Sequence, residues 1–293
     1  MVRLSCTLTW RKSNSIITGL WKGLFFSLLL SVFIALSGCS GSSNSSGTSA
    51  NQGAEQQGSM SLSLVTLYST VNAINVHVAY EPNAVPFTGT TQNGIQFWSI
   101  LESNLEALFL TRTIEPNISV PKDLSGMDTI SELAQTTWTA SQIVDLARNT
   151  WSLPQTSTTA ELYVLFLNGD YEDNQGTINK NVIGLSVDGT PVVAVFKDVI
   201  LTSGLSSFTE VFIEQATIIH EFGHTLGLVN NGVPMITSHE DSTHPHHCTN
   251  EDCVMFWAND STNLVFFINT IINSPSDILF GPECLDDTRS YRP

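Results

Sequence analysis

Two histidines and a glutamate lie close together in the motif HEFGH at residues 220–224. On an α-helix, residues four apart lie one above the other on the same face, so both imidazoles can bind one Zn²⁺ ion. Glu221 is rotated from His220 by roughly 100° and is expected to reach the attacking water rather than the metal. A carboxylate there can accept the proton of the water as it attacks a carbonyl. The spacing therefore predicts a hydrolytic zinc centre with Glu221 as general base.

The motif lies in a stretch that is typical of a buried helix. The letters ATII precede it and TLGL follow it, which places both histidines at the edge of a core, where an imidazole needs a partner. The helix is predicted to run from about Ser207 to Leu228. It is expected to end near Gly227 or at the turn Asn230-Asn231-Gly232.

Other elements follow from the spacing of apolar residues. Alternation over residues 71–80 predicts a half-buried strand, and helical spacing predicts helices over residues 95–109 and 140–151. The continuous apolar run Glu161–Leu167 is typical of a central strand. Further predicted elements are the strands Val182–Val187 and Val192–Phe196 with the turn Asp188-Gly189-Thr190-Pro191 between them, the acidic loop Asn168–Lys180, and an apolar helix over Leu264–Ile272. Together they predict an α/β (α+β) fold.

The N-terminus has the pattern of an export signal. Residues 1–22 carry four basic and no acidic side chains, and the apolar run Leu24–Leu36 is too short to span a bilayer. The following letters, LSGC, resemble the lipobox of bacterial lipoproteins, which implies that residues 1–38 are removed and that Cys39 is lipidated. Because Ser40 rather than aspartate follows, we expect a lipid-anchored protein of the outer membrane of the cell envelope.

The segment after the predicted lipid anchor differs in composition from the rest of the chain. Residues 39–59 are rich in Ser, Gly, Asn and Gln, which cannot bury enough apolar surface to order themselves. They predict a flexible tether, with residues 60–293 forming the domain.

The charge balance excludes one class of partner. The chain has 27 acidic and 11 basic residues, a net charge of −16, and four of those bases lie in the predicted signal. A surface this acidic argues against nucleic acid and against electrostatic docking on anionic lipid.

Three of the five cysteines remain in the predicted domain, namely Cys248, Cys253 and Cys284. An odd number in an oxidising compartment predicts one disulfide and one free or metal-bound thiol.

Two sequence patterns resemble a known family. The pattern H-E-x-x-H-x-x-G, ending at Gly227, is similar to the start of the metzincin signature, although Asn230 stands where the third histidine is expected. Downstream, the letters HCTNEDCVM at residues 247–255 resemble the archaemetzincin pattern. The resemblance implies that residues 230–246 are an insertion, that His247 is the third zinc ligand, and that Met255 is the methionine of the Met-turn. His244 and His239 remain alternatives for that ligand, because they lie in the same His-rich segment.

The same resemblance has implications for the fold and the cysteines. It implies a single catalytic domain with a twisted mixed sheet and an active-site helix, and makes the strand at residues 191–196 a candidate edge for an extended peptide substrate. Archaemetzincins complete a second, four-cysteine zinc site with a C-x-x-C, of which only Cys284 is present here. A disulfide between Cys284 and Cys248 or Cys253 is therefore expected. A second metal bound by His239, Asp241 and His244 is the alternative.

The function implied is zinc-dependent hydrolysis of peptide bonds in a peptide or protein substrate. One alternative is a non-enzymatic, zinc-containing surface lipoprotein that binds a partner, and another is a zinc hydrolase of non-peptide amides. Glu221 argues against the binding protein, because a structural metal site has no need of a carboxylate between its histidines.

Overall fold

The computed structural model describes residues 60–91, 94–257 and 277–293. The predicted signal, Cys39 and all of the tether lie outside the described residues, and so does the predicted helix Leu264–Ile272. All described residues belong to one compact unit, Ala54–Pro293. None of the helices within the described ranges is both long and apolar enough to cross a membrane.

The described residues form a mixed α/β fold. Its helices are α1 Leu64–Ser69, α2 Phe97–Phe109, α3 Ala140–Thr150, α4 Lys197–Leu201, α5 Ser207–Thr225 and α6 Pro282–Ser290. Its strands are β1 Ala73–Tyr80, β2 Asn117–Ser119, β3 Asp128–Thr129, β4 Thr137–Trp138, β5 Thr159–Leu167, β6 Asp170–Glu172, β7 Ile178–Asn179, β8 Gly184–Ser186 and β9 Val192–Phe196.

The main sheet of the described residues has the order β2-β1-β5-β9-β8, with β3 also paired to β1. All pairs are parallel except β8 with β9, which makes the sheet mixed. Strand β5 is buried along almost its whole length, as its continuous apolar run predicted, because it lies between two parallel neighbours in the interior of the sheet. The predicted strands and the helices over 95–109 and 140–151 are confirmed, with ends shifted by one or two residues.

Three predictions are corrected by the fold. The strand at residues 191–196 is not an edge, because β9 lies between β5 and β8 and the edge is β8. The acidic loop Asn168–Lys180 contains β6 and β7, and β6 pairs with both β4 and β7. The helix α5 ends at Thr225 rather than Leu228.

The end of α5 has a local cause. Gly227 has a φ of 85°, its N–H donates to the carbonyl of His224, and the N–H of Leu228 donates to the carbonyl of Gly223. These two bonds form a Schellman motif, which ends a helix at a residue in the left-handed region. Ser206 caps the other end by accepting a hydrogen bond from the N–H of Thr209.

A buried ion pair attaches α5 to the end of the sheet. Lys197, the residue after β9, contacts Glu214 on α5, and Glu214 also accepts a 2.8 Å hydrogen bond from the N–H of Phe87. Burial raises the pKa of Glu214 to about 7 and lowers the pKa of Lys197. Removing either partner of such a pair costs about 3–5 kcal/mol, so the contact holds α5 in place.

Candidate metal centre

The last turns of α5 bring His220 and His224 together. Their Nε2 atoms are 3.1 Å apart, close to the roughly 3.3 Å expected for two nitrogens of a tetrahedral zinc site with bonds of about 2.05 Å. His220 is fully buried and His224 is half-buried. One face of this helical turn therefore presents two nitrogens at a separation that suits one metal ion.

His247 reaches the same place from the loop that follows α5. Its ring centroid lies 5.3 Å from that of His220 and 4.9 Å from that of His224. One ligand nitrogen from each of the three rings lies within 4.8 Å of the others. We call these three residues the histidine triad.

Backbone carbonyls select the tautomers of two triad histidines. The Nδ1 of His220 lies 2.6 Å from the carbonyl oxygen of Val254, and the Nδ1 of His247 lies 2.9 Å from that of Pro245. A carbonyl oxygen only accepts, so each Nδ1 carries the proton and donates it. In the neutral ring the lone pair is then on Nε2, which is the state that a metal ligand requires.

The triad fits a catalytic rather than a structural zinc ion. A catalytic site uses three protein ligands and leaves a fourth position for water or substrate. His224, His247 and Glu221 all line a cleft of about 330 Å³, which supplies that open side. Three imidazoles are also ligands that zinc prefers.

Glu221, on α5, packs against the edge strand β8. It is 5% exposed, and a Cβ on Gly184 would lie 3.0 Å from its Cγ and 2.4 Å from the Cγ2 of Thr217. Only glycine at position 184 lets the strand approach the helix so closely. The carboxylate is therefore oriented toward the cleft by packing.

Met255 packs against the same turn of α5. It is fully buried, and a Cβ on Gly223 would lie 2.2 Å from its Sδ. The glycine between Glu221 and His224 thus permits contact with this methionine. A buried methionine therefore lies against the helical turn that carries His220 and His224.

His244 and His246, the other two histidines of residues 240–247, do not join the triad. His244 stacks on Trp257 with ring centroids 4.2 Å apart, and Asp241 accepts hydrogen bonds from Thr243 and His244. His246 lines the cleft but is exposed. The groups of three metal-competent side chains found in the described ranges do not include the predicted set of His239, Asp241 and His244.

His239 lies instead among the cysteines. Cys248, Cys253 and Cys284 are all buried, and none of the three forms the expected disulfide. The Sγ atoms of Cys253 and Cys284 are 3.6 Å apart. Hydrogen bonds to Asp287 and Cys248 raise the pKa of His239 to about 10, and burial raises the pKa of Cys253 to about 12. Asp287 was missed by the sequence analysis, although a carboxylate three residues after Cys284 is a weak signal for this cluster.

Comparison with known proteins gives a distant result. No protein-family model and no curated protein matches the chain. Among solved structures, the zinc-dependent peptidase from Methanocorpusculum labreanum (strain Z) is similar to this chain with a TM-score of 0.40 and 13% identity, over 73% of this chain and 99% of that chain. Because the similarity is this distant, the function of this chain has to be inferred from its own residues.

Proposed function

We propose that this protein is a zinc-dependent peptidase whose metal ion is held by His220, His224 and His247. The observation that carries the proposal is that the ligand nitrogens of all three lie within 4.8 Å of one another. Two of them, His224 and His247, line one cleft together with Glu221. A binding protein with a structural zinc needs neither the open side nor the carboxylate. The combination is the one that hydrolysis requires.

The edge strand β8 is proposed to bind the substrate as an added strand. Ile183 and Val187 make their backbone hydrogen bonds with β9, at 2.8 Å to Phe196 and 3.0 Å to Val192. Because the direction of backbone groups alternates along a strand, the N–H and C=O groups of Gly184 and Ser186 point away from β9. Both residues line the cleft beside Glu221, so an extended peptide paired there has its backbone next to the triad.

The zinc ion and the residues of the chain supply different parts of the proposed reaction. Zinc, when bound, lowers the pKa of water and polarises a carbonyl. Glu221 accepts the proton of the attacking water and can then deliver it to the leaving amine. The carbonyls of Val254 and Pro245 keep His220 and His247 in the ligating tautomer.

The decisive variant is Glu221→Gln in the full chain, compared with the surface control Glu251→Gln. Glu251 is exposed, so its replacement is expected to leave activity unchanged. We expect Glu221→Gln to retain zinc and to lose about 10²–10⁴-fold in kcat/KM on unstructured peptides and casein. If the control Glu251→Gln and Glu221→Gln both bind zinc and neither cleaves a substrate, the result would contradict the proposal and favour the partner-binding lipoprotein.

We further propose that the protein is exported and anchored to the outer membrane through lipid on Cys39. The support is the basic, apolar and LSGC pattern of residues 1–39. The test is mass spectrometry of the N-terminal peptide after expression in a Gram-negative host, together with Cys39→Ser. Loss of the lipid mass and release from the membrane fraction in the variant are expected, and a protein that starts at Met1 would contradict the proposal.

A further inference from the structure

A second cavity lies next to the cleft of the histidine triad. Its volume is about 320 Å³. Four described residues line both spaces, namely Ser186, Asp188, His224 and Asn231. Gly184 and Glu221 line only the cleft, whereas Gly189 lines only the second cavity. The second cavity therefore lies toward the turn of the β8–β9 hairpin, and His224 stands where it meets the cleft.

One wall of this cavity comes from the start of the described chain, through Leu62 and Leu64. The N–H of Leu62 donates a 3.2 Å hydrogen bond to the carbonyl of Gly189. A Cβ on Gly227 would lie 2.6 Å from the Cδ1 of Leu64, and a Cβ on Gly232 would lie 2.5 Å from the same atom. The wall is therefore bonded to the hairpin and packed against the turn that ends α5.

The hairpin turn fixes the position of Asp188 at the rim of the cavity. The N–H and the hydroxyl of Thr190 both donate to the carbonyl of Val187, at 3.0 and 2.7 Å. Asp188 lies inside this turn and is exposed. Among the described residues that line the second cavity, Asp188 is the only acidic one, and none is a lysine or an arginine. The cavity therefore presents one negative charge to whatever enters it.

The wall and the rim together suit a long cationic side chain. Lysine and arginine lay their methylene groups on apolar surface while the charged end stays in water. Leu62, Leu64 and Val187 supply the apolar surface. Asp188 supplies a partner for the charge at the exposed rim. A chain with a net charge of −16 also attracts basic peptides over a longer range.

We propose that this cavity is a substrate subsite and that Asp188 is a specificity-determining residue that selects a lysine or arginine side chain of the peptide. The inference rests on the proposed peptidase function and names basic peptides as its preferred substrates. Each residue of an extended peptide advances about 3.3 Å along β8, and His224 borders both spaces. The selected side chain therefore belongs to a residue within about two positions of the scissile bond.

The test compares cleavage of internally quenched peptides by the full chain purified in detergent. The peptides have blocked ends and carry Lys, Met or Glu in turn at each position near the scissile bond, since Met has an unbranched stem without charge. We expect kcat/KM for the best Lys peptide to exceed that for its Met counterpart about 3–5-fold, the effect of an exposed ion pair. The ratio should fall to about 1 in Asp188→Asn, and Asp188→Lys should favour Glu instead. Glu251→Gln, which removes an exposed carboxylate outside both cavities, should keep the preference for Lys.

The ratios are taken within each protein, so a variant with a smaller folded fraction still gives a result. No preference for Lys in the wild type, or a preference that survives in Asp188→Asn, would overturn this inference and leave the proposed function standing. A preference that appears only when the amino terminus of the peptide is unblocked would also overturn it, because the positive group bound would then be the α-amino group. Failure of the wild type to cleave any of the peptides would overturn the proposed function together with this inference.

Discussion

The histidine triad and the buried cluster of His239, Cys248, Cys253 and Cys284 both take residues from the segment after α5 but differ in their access to solvent. Two of the triad histidines are half-buried and line the cleft, together with Glu221. All members of the cluster are between 0% and 4% exposed, and their neighbours are backbone N–H groups and Asp287. Catalysis at a metal ion needs an open position for water or substrate, whereas a group closed to solvent can contribute only to the stability of the fold. The difference predicts that changes in the triad reduce activity and that changes in the cluster reduce stability.

The largest effect on stability is expected from His239→Ala. It removes the imidazole that pairs with the buried carboxylate of Asp287, and breaking such a buried pair costs about 3–5 kcal/mol in the free energy of unfolding. His247→Ala is the matched comparison, and it should change stability by less than about 1 kcal/mol because its site faces the cleft. Urea unfolding of both variants measures the difference, and equal losses would contradict the division between the triad and the cluster.

The next effect concerns the contact between α5 and Met255. In Gly223→Ala the new Cβ would meet the Sδ of Met255 at 2.2 Å, and such overpacking costs about 1–3 kcal/mol. Adding Met255→Ala removes the clash, so part of the loss should be recovered in the double variant. A double-mutant cycle on the free energy of unfolding tests this, and purely additive losses would show that the two residues are not coupled.

Gly184→Ala is expected to affect activity more than stability. Its Cβ would lie 2.4 Å from the Cγ2 of Thr217 and 3.0 Å from the Cγ of Glu221, both on side chains that can shift. We expect a loss of about 1 kcal/mol in stability and a fall in kcat/KM of about 100-fold, because misplacing the catalytic group by about 1 Å has that effect. Thr217→Ser removes the methyl group and should restore part of the activity. Unchanged activity in Gly184→Ala would remove β8 from the proposed site.

The smallest effect is expected from His244→Ala. His244 stacks on Trp257, a contact worth about 0.5–1.5 kcal/mol when buried, and its side chain is 40% exposed. Stability should therefore fall by less than about 1 kcal/mol, with no change in zinc content. Loss of a zinc ion in this variant would mean that His244 rather than His247 completes the metal site with His220 and His224.

Some features of the site could be predicted because they depend on residues close together in the sequence. The motif at residues 220–224 places two imidazoles on one helical face through the helix repeat alone. The end of α5 also has a local cause, but the predicted end at Leu228 fell three residues beyond Thr225, because the Schellman bonds of Gly227 and Leu228 stop the helix before its apolar pattern ends. The edge of the sheet was mispredicted for a different reason, since it depends on contacts between distant strands. Pattern and turn chemistry identify the β8–β9 hairpin, but only strand pairing decides which of the two is outermost.

The sequence by itself determined the helix, the pair of histidines on it and the carboxylate between them, because the α-helical repeat converts spacing into geometry within about one turn. It left open which of three histidines in the following segment, His239, His244 or His247, meets that pair. Only the tertiary structure decided that His247 lies beside His220 and that His239 lies beside Cys248 and Asp287. These contacts join residues 27 and 48 positions apart in the first and last of those pairs. At such separations no local repeat relates position in the chain to position in space, so packing alone brings the groups together.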